Sequence, residues 1–162
     1  MATFQPQEHI LRADLRQLKH AREFAERVAI DFGLENGACY QVKLAMSEAV
    51  TNAIQHGSSS PEDPIRIFAI EEGGALVFEV LDTGRFRPRV ARRGDPLPDS
   101  GRGLEFLRVL MDEVDVRPGA KGTLLRFAKR PWLSLAYGLF GLVRGPLSVG
   151  GGFCLLSNRP RR

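Results

Sequence analysis

The chain has 162 residues, of which 43% are hydrophobic and 26% are charged. This length suits one domain with a core of ordinary size, and the composition excludes an intrinsically disordered chain. The net charge is +4, with 19 arginines and 4 lysines. Arginine binds oxyanions through paired hydrogen bonds, so the excess favours phosphate-rich or acidic partners, although the coding preference of the source genome would produce the same bias.

Two features of the sequence bear on the compartment. Cys39 and Cys154 are far apart and lack metal-ligand spacing, which favours a reducing compartment. Residues 3–9 contain no apolar segment of the kind found in signal peptides. We therefore expect a cytoplasmic protein.

The first third of the chain predicts a short strand followed by two helices. The strand is expected at residues 7–12. A helix should then run from the N-cap residue Asp14 to about Phe32, where Gly33 ends it. Asn36-Gly37 predicts a turn, and the second helix is expected from about Cys39 to His56.

The second predicted helix carries a stripe of polar side chains. Glu48, Asn52 and His56 follow one another at four-residue intervals, so they lie on roughly one face. By itself such a stripe is usually only a solvated face. Gly57 is expected to close the helix in a left-handed conformation. The opposite face and its flank should be buried, namely Val42, Met46, Ala49, Val50, Ala53 and Ile54.

A hairpin is expected after this helix. Residues 57–64 form a loop by composition, and two strands are predicted at 65–70 and 75–81. The sequence Glu-Glu-Gly-Gly at 71–74 supplies the turn between them. The second strand leads directly into Asp82-Thr83-Gly84.

The stretch from Arg85 to Arg102 has no periodicity and holds six arginines and three prolines. A loop this long inside a compact domain is usually functional or disordered. Gly101-Arg102-Gly103 then opens a helical pattern, and such a glycine-rich helix start offers free N–H groups to an anion. A final hairpin is predicted over residues 114–128.

The order of these elements predicts an α+β fold. Helices and hairpins in this sequence indicate a two-layer sandwich, with helices on one face of a mixed, mostly antiparallel sheet. We expect this domain to occupy residues 1–130.

Four short motifs, in a fixed order, carry a resemblance to a known superfamily. They are Glu48-x-x-x-Asn52, Asp82-x-Gly84, Gly101-x-Gly103 before a helix, and Gly122-Thr123. The set resembles the histidine-kinase-like ATP-binding superfamily, which includes gyrase, a heat-shock chaperone class and mismatch-repair ATPases. Residues 47–57 and 101–104 are most similar to the anti-sigma-factor serine kinases. The resemblance covers about residues 7 to 130.

The resemblance implies a site for the adenine of ATP. The residue matching Asp82 accepts hydrogen bonds from the adenine amino group. Gly84 matches the residue that lets the backbone approach the base closely. Thr123 matches a residue that supports this network.

The resemblance also implies where phosphate, metal and chemistry would lie. Gly101, Arg102 and Gly103 match the turn that holds the phosphates. Asn52 would bind nucleotide through Mg²⁺, for which an amide oxygen is a suitable ligand. Glu48 would be the general base that takes the proton from an attacking serine hydroxyl.

Some features depart from the superfamily pattern. Many relatives have a second glycine two residues after the one matching Gly84, and Phe86 stands there in this chain. No phospho-acceptor histidine domain precedes the site, which argues against a self-contained histidine kinase. We likewise expect no conformational ATPase motor, because this sequence shows no transducer domain of the gyrase or mismatch-repair kind.

Three classes of function remain at this point. In the first, an ATP-dependent protein serine kinase sequesters a sigma factor and phosphorylates that factor's antagonist. In the second, ATP only sets the conformation of a catalytically weak binding module. A nucleic-acid binder is disfavoured, because the sequence shows no aromatic platform or recognition helix. The expected partners are a sigma factor, its antagonist and a second copy of the chain, without direct nucleic-acid contact.

Residues 131–162 form an apolar and basic extension outside the resemblance. Its apolar run is shorter than the roughly 20 residues that cross a bilayer. We expect an extension that is poorly ordered or caps the domain. Contact with a membrane surface is the less favoured alternative.

Overall fold

The computed structural model describes residues 4–84, 102–120 and 122–131. The predicted irregular stretch that begins at Arg85 and most of the C-terminal extension therefore lie outside the described residues. Within the described ranges no helix is long and apolar enough to cross a membrane. The elements are β1 (Gln7–Arg12), α1 (Leu18–Phe32), α2 (Asn36–Gly57), β2 (Pro64–Glu72), β3 (Ala75–Leu81), α3 (Arg102–Leu110), β4 (Glu113–Gly119) and β5 (Gly122–Lys129).

The five strands form one sheet in the order β1-β2-β3-β5-β4. Each pair of neighbouring strands is antiparallel, so the parallel part of the predicted mixed sheet is not found among the described strands. The last strand, β5, lies between β3 and β4. This position places the start of β5 beside the end of β3, where Leu81 pairs with Leu124.

The helices cover one face of this sheet, which confirms the predicted α+β class. Alternate residues of β2 and β3, such as Ile67 and Phe78, point into the core and are fully buried. Met46 and Val50 of α2 are also fully buried and belong to the same core. Leu107 of α3 completes the layer. The buried face of α2 therefore fixes its polar stripe at the edge of the core.

The connection between α1 and α2 is tighter than predicted. Gly33 has a left-handed φ of 89°, and the N–H of Leu34 donates to Ala29 O. Glu35 is extended, and α2 begins at Asn36. The prediction of a turn at Asn36-Gly37 was wrong, because the chain has already reversed its direction at Gly33 and Glu35.

The predicted role of Gly57 as a left-handed helix end was also wrong. Among the described glycines, φ is positive at Gly33, Gly73, Gly74 and Gly122, but not at Gly57. Gly57 is the last residue of α2, and the extended residue Ser58 follows it. Gly57 is buried, and close contact with its surroundings, not a left-handed conformation, accounts for glycine at this position.

Candidate functional site

The end of β3 places a carboxylate inside the molecule. Asp82 is only 6% exposed, and its Oδ1 accepts hydrogen bonds from the N–H of Thr123 at 2.9 Å and of Gly84 at 3.1 Å. The N–H of Asp82 in turn donates to Thr123 O at 3.2 Å. The pairing of β3 with β5 thus fixes the orientation of this carboxylate.

Two opposing effects act on the pKa of Asp82. Burial raises the pKa above its ordinary value, because the anion loses hydration. The N–H donors of Thr123 and Gly84 lower it, but burial is the larger effect. A buried carboxyl group with these properties is well suited to accept a hydrogen bond from a ligand N–H.

Thr123, beside this carboxylate, has a hydroxyl group that no described residue satisfies. Its side chain is 6% exposed, and Oγ1 has no hydrogen-bond partner within the described part of the chain. A buried polar atom without a partner costs about 1–3 kcal/mol. A polar ligand group at this place would remove that cost, so the pair of Asp82 and Thr123 fits the polar edge of a planar base.

Three glycines, Gly57, Gly84 and Gly122, allow the backbone to close around Asp82. A Cβ atom built on Gly122, where φ is 150°, would lie 1.9 Å from Asp82 O. A Cβ atom on Gly84 would lie 2.1 Å from Gly57 O. The sequence motif contained Gly122 but gave it no role. The sequence feature that could have pointed to a role for Gly122 is its position directly before Thr123.

The polar stripe of α2 has two partly buried members and one exposed member. Glu48 and Asn52 are partly buried, whereas His56 is exposed. The hydrogen-bonded ion pair between Lys43 Nζ and Glu26, at 2.7 Å, ties α2 to α1 on a different face of α2 from this stripe. The stripe is therefore held on a fixed helix rather than on a loop.

Glu48 lies against the first turn of α3. A Cβ atom built on Gly103 would be 1.9 Å from Glu48 Oε1, so a side chain at position 103 would displace the Glu48 carboxylate. The structure thus brings together Glu48 of one predicted motif and Gly103 of another. Gly101 lies outside the described residues, and Arg102 begins α3 with a side chain that is not described.

The site has two ends with different chemistry. At one end, Asp82 and Thr123 offer hydrogen-bonding groups in a buried setting. At the other end lie Glu48 and the N-terminal turn of α3, whose dipole favours an anion. Glu48 and Gly57 are nine positions apart on α2, which separates them by about 13 Å along the helix axis at 1.5 Å per residue. A ligand that reaches both ends has to be elongated, with a polar planar head and an anionic tail.

A family model described as the histidine kinase-like ATPase domain matches residues 11–129. The chain belongs to this family. The match spans every described element from α1 to β5 as well as both ends of the site, and it agrees with the family resemblance found in the sequence.

Curated relatives carry more specific names. An anti-sigma F factor of Thermoanaerobacter sp. (strain X514) is 36% identical over 97 residues, covering 54% of this chain and 67% of the relative. The serine-protein kinase RsbW of Bacillus pumilus (strain SAFR-032) is 30% identical over 97 residues, covering 51% of this chain and 60% of that protein. The predicted similarity to anti-sigma-factor serine kinases is thereby confirmed.

Solved structures share the fold. The structure of the RsbU and RsbW domains of a Mycobacterium tuberculosis protein matches with a TM-score of 0.61 and 22% identity, covering 78% of this chain and 32% of that one. A blue-light activated histidine kinase from Erythrobacter litoralis EL346 matches with a TM-score of 0.51 and 21% identity, covering 75% of this chain and 64% of the other. At these identities the likeness concerns the fold alone.

Proposed function

We propose that the protein is an ATP-dependent protein serine kinase that acts as an anti-sigma factor. In this role it binds a sigma factor and phosphorylates a serine of that factor's antagonist. The relatives named anti-sigma F factor and serine-protein kinase support the assignment. The observation that carries the nucleotide part is the buried pair of Asp82 and Thr123 at the junction of β3 and β5.

The adenine base is proposed to bind at this junction. Asp82 accepts a hydrogen bond from the adenine amino group, and the free hydroxyl of Thr123 completes the polar edge. Guanine presents an acceptor where adenine presents a donor, so GTP would place two acceptors against each other. Gly84 and Gly122 keep the surrounding backbone close enough for the base to be enclosed.

The triphosphate is proposed to lie along α2 towards the start of α3. Gly101, Arg102 and Gly103 would hold the phosphates, and Asn52 would supply one oxygen ligand to Mg²⁺. No group of three His, Cys, Asp or Glu side chains among the described residues could hold an ion by itself. Mg²⁺ fits this site nonetheless, because it commonly binds through one or two protein oxygens together with substrate phosphates and water. When bound, the ion would neutralise phosphate charge.

Glu48 is proposed to act as the general base. Its carboxylate lies beside Gly103, next to the proposed phosphate turn. It would accept the proton of the serine hydroxyl of the antagonist while the terminal phosphoryl group moves to that oxygen. The lysine–glutamate pair that ties α2 to α1 helps to keep this helix, and with it Glu48, in place.

Replacing Glu48 tests this assignment directly. Glu48→Gln keeps the shape of the side chain but cannot take a proton, so serine phosphorylation should fall by roughly 10²–10⁴-fold. ATP affinity and sigma-factor binding should stay close to those of the unsubstituted protein. The measurements are phosphate transfer to the purified antagonist and equilibrium nucleotide binding.

Glu23→Gln is the matched control, because Glu23 is an exposed glutamate on α1 away from the site. Transfer at the unsubstituted rate in Glu48→Gln would contradict the base assignment. If the unsubstituted protein binds ATP and sigma factor but never phosphorylates the antagonist, the second candidate is favoured, a regulatory module that works by nucleotide-dependent partner binding.

The remaining parts of the proposal concern the setting of the domain. We place the ATP-binding domain at residues 1–130, with the apolar and basic extension at 131–162 outside it. The protein is proposed to act in the cytoplasm, as a homodimer, on protein partners and without direct contact to nucleic acid.

A further inference from the structure

The end of helix α2 contacts the carboxylate of Asp82 so closely that only glycine fits. A Cβ atom built on Gly57 would lie 2.0 Å from Asp82 Oδ2, 2.1 Å from Cγ and 2.7 Å from Cβ. The oxygen next to Gly57 is Oδ2, whereas the N–H groups of Thr123 and Gly84 donate to Oδ1. Gly57 therefore borders the carboxylate oxygen that accepts no hydrogen bond from the described backbone.

A second contact holds the same helix end in place. A Cβ atom on Gly84 would lie 2.1 Å from Gly57 O and 2.3 Å from Gly57 C, so two glycine backbones lie against each other. The hydroxyl of Ser58 also donates to Ala53 O at 3.0 Å. The last turn of α2 is thus packed between the β3 end and its own capping residue, and it has little room to retreat.

A side chain at position 57 would displace the carboxylate or the helix. Aspartate is short, and turning Oδ2 away from a new methyl group would break the two hydrogen bonds at Oδ1. If α2 moved instead, it would carry Asn52 and Glu48 with it, because all three residues lie on one helix. Either movement alters the site.

We propose that Gly57 is a positioning residue that determines base specificity. By lacking a side chain, it lets the Asp82 carboxylate keep one oxygen on the backbone and direct the other to the base. This inference rests on the proposed ATP site, and it adds Gly57 of α2 to the residues that determine which base binds.

The test is the variant Gly57→Ala, examined by binding of ATP and of GTP. ATP affinity should fall about tenfold or more, as expected when one hydrogen bond to a charged group is lost, and the preference for ATP over GTP should shrink. The rate of serine phosphorylation at saturating ATP should fall much less than the affinity. Unchanged affinity and unchanged base preference would overturn the proposal.

Gly37→Ala is the matched control on the same helix. No atom lies within 4 Å of a Cβ atom at position 37, and its φ is not in the left-handed region. Both substitutions replace a helical glycine by alanine, which by itself favours the helix by about 1 kcal/mol. Gly37→Ala should therefore bind both nucleotides normally and unfold at the same or a higher temperature.

A double substitution tests the contact itself, independently of nucleotide. Asp82→Gly removes all three side-chain atoms that the new methyl group would meet. The loss of thermal stability caused by Gly57→Ala should therefore shrink strongly in the Asp82→Gly background. Equal losses in both backgrounds would overturn the proposed contact. Failure of the unsubstituted protein to bind ATP would instead overturn the proposed function, and the two failures are thus distinguishable.

Discussion

The buried carboxyl group of Asp82 should lower the stability of the fold, although it serves ligand binding. Burial raises its pKa, so between the unfolded and the folded pKa the folded chain binds more protons than the unfolded chain. Stability then decreases as the pH rises through that window, and at neutral pH the ionised carboxyl weakens the fold. A ligand that donates a hydrogen bond to this group would compensate for the loss.

The first residue-scale prediction is that Asp82→Asn stabilises the protein without ligand and abolishes tight ATP binding. The amide oxygen can still accept from Thr123 and Gly84, but no charge is buried. Its NH₂ group would face the donor of adenine, so ATP affinity should fall by at least about tenfold. Thermal unfolding at pH 7 and nucleotide titration measure the two effects.

Asp31→Asn, at an exposed aspartate of α1, serves as the control for the change in net charge. A lower unfolding temperature for Asp82→Asn than for the unsubstituted protein, measured without nucleotide, would be inconsistent with a destabilising buried charge.

His9 on β1 is a second titrating group inside the described domain. Its ring stacks on Phe24 with centroids 5.0 Å apart, and its buried Nε2 has no hydrogen-bond partner among the described residues. Burial lowers the pKa of His9 below 6.5, and the nearby positive charges of His20 and Arg27 lower it further. The neutral ring is therefore the form that the fold accepts.

We predict that His9 makes the protein less stable in mildly acidic solution. The pKa of His9 is lower in the folded chain than the unfolded value of 6.5. Titration of His9 therefore leaves the free energy of unfolding unchanged above pH 6.5 and lowers it as the pH falls towards the folded pKa. His9→Phe keeps a ring on Phe24 and removes the titration, so its unfolding temperature should depend less on pH below 6.5. Denaturation curves between pH 7 and pH 5 measure this, with the exposed His56→Gln as control. Equal pH dependence in His9→Phe and the unsubstituted protein would rule out this role.

At the scale of elements, α3 links the core to the proposed phosphate turn. Leu107 is fully buried, whereas Val109 on the same helix is 81% exposed. Gly103 at the start of α3 faces Glu48 of α2. Packing of α3 against the core should therefore control the geometry of the site as well as stability.

The prediction is that Leu107→Ala lowers the free energy of unfolding by about 2–5 kcal/mol, the usual loss for a buried leucine. ATP affinity should fall in the same variant at temperatures where it remains folded, because the start of α3 loses its fixed position. Val109→Ala should change the free energy of unfolding by less than about 0.5 kcal/mol. Urea denaturation and nucleotide titration measure these effects. Unaltered ATP affinity in folded Leu107→Ala would contradict the prediction that the packing of α3 controls the geometry of the site.

Elements were predictable from sequence where local chemistry determines them. The strand expected at residues 7–12 is present, and the hairpin around Gly73-Gly74 agrees with its pattern because positive-φ glycines form a turn within a few residues. The turn expected at Asn36-Gly37 failed because Gly33 had already reversed the chain. The role of Gly57 depends on contact with Asp82, a residue distant in sequence, and no local pattern reveals it.

At the scale of the whole molecule, the sheet order was not predictable from the sequence of hairpins. Among the described strands, β4 pairs only with β5, which also lies beside β3, with Phe78 opposite Phe127. The rings of these two residues stack 5.5 Å apart in the core. Hydrophobic patterning predicts that both rings are buried, but it does not say which strands become neighbours.

The position of β5 has a consequence for the order of events in folding. The β4–β5 hairpin closes over a few residues between Gly119 and Gly122, whereas Asp82 and Thr123 are 41 residues apart. Closing a long loop costs more entropy than closing a short one, so the β3–β5 contact should form after the hairpin. The proposed base-binding groups would then meet only late in folding.

A ligand whose binding contacts form late in folding should change the unfolding rate but not the folding rate. ATP should slow unfolding and leave the refolding rate almost unchanged, because its contacts are absent from the transition state. Stopped-flow folding and unfolding in denaturant, with and without Mg·ATP, measure both rates. Faster refolding in the presence of ATP would mean that β5 reaches β3 before the transition state, and that the nucleotide assists folding of the chain as well as retaining it in the folded form.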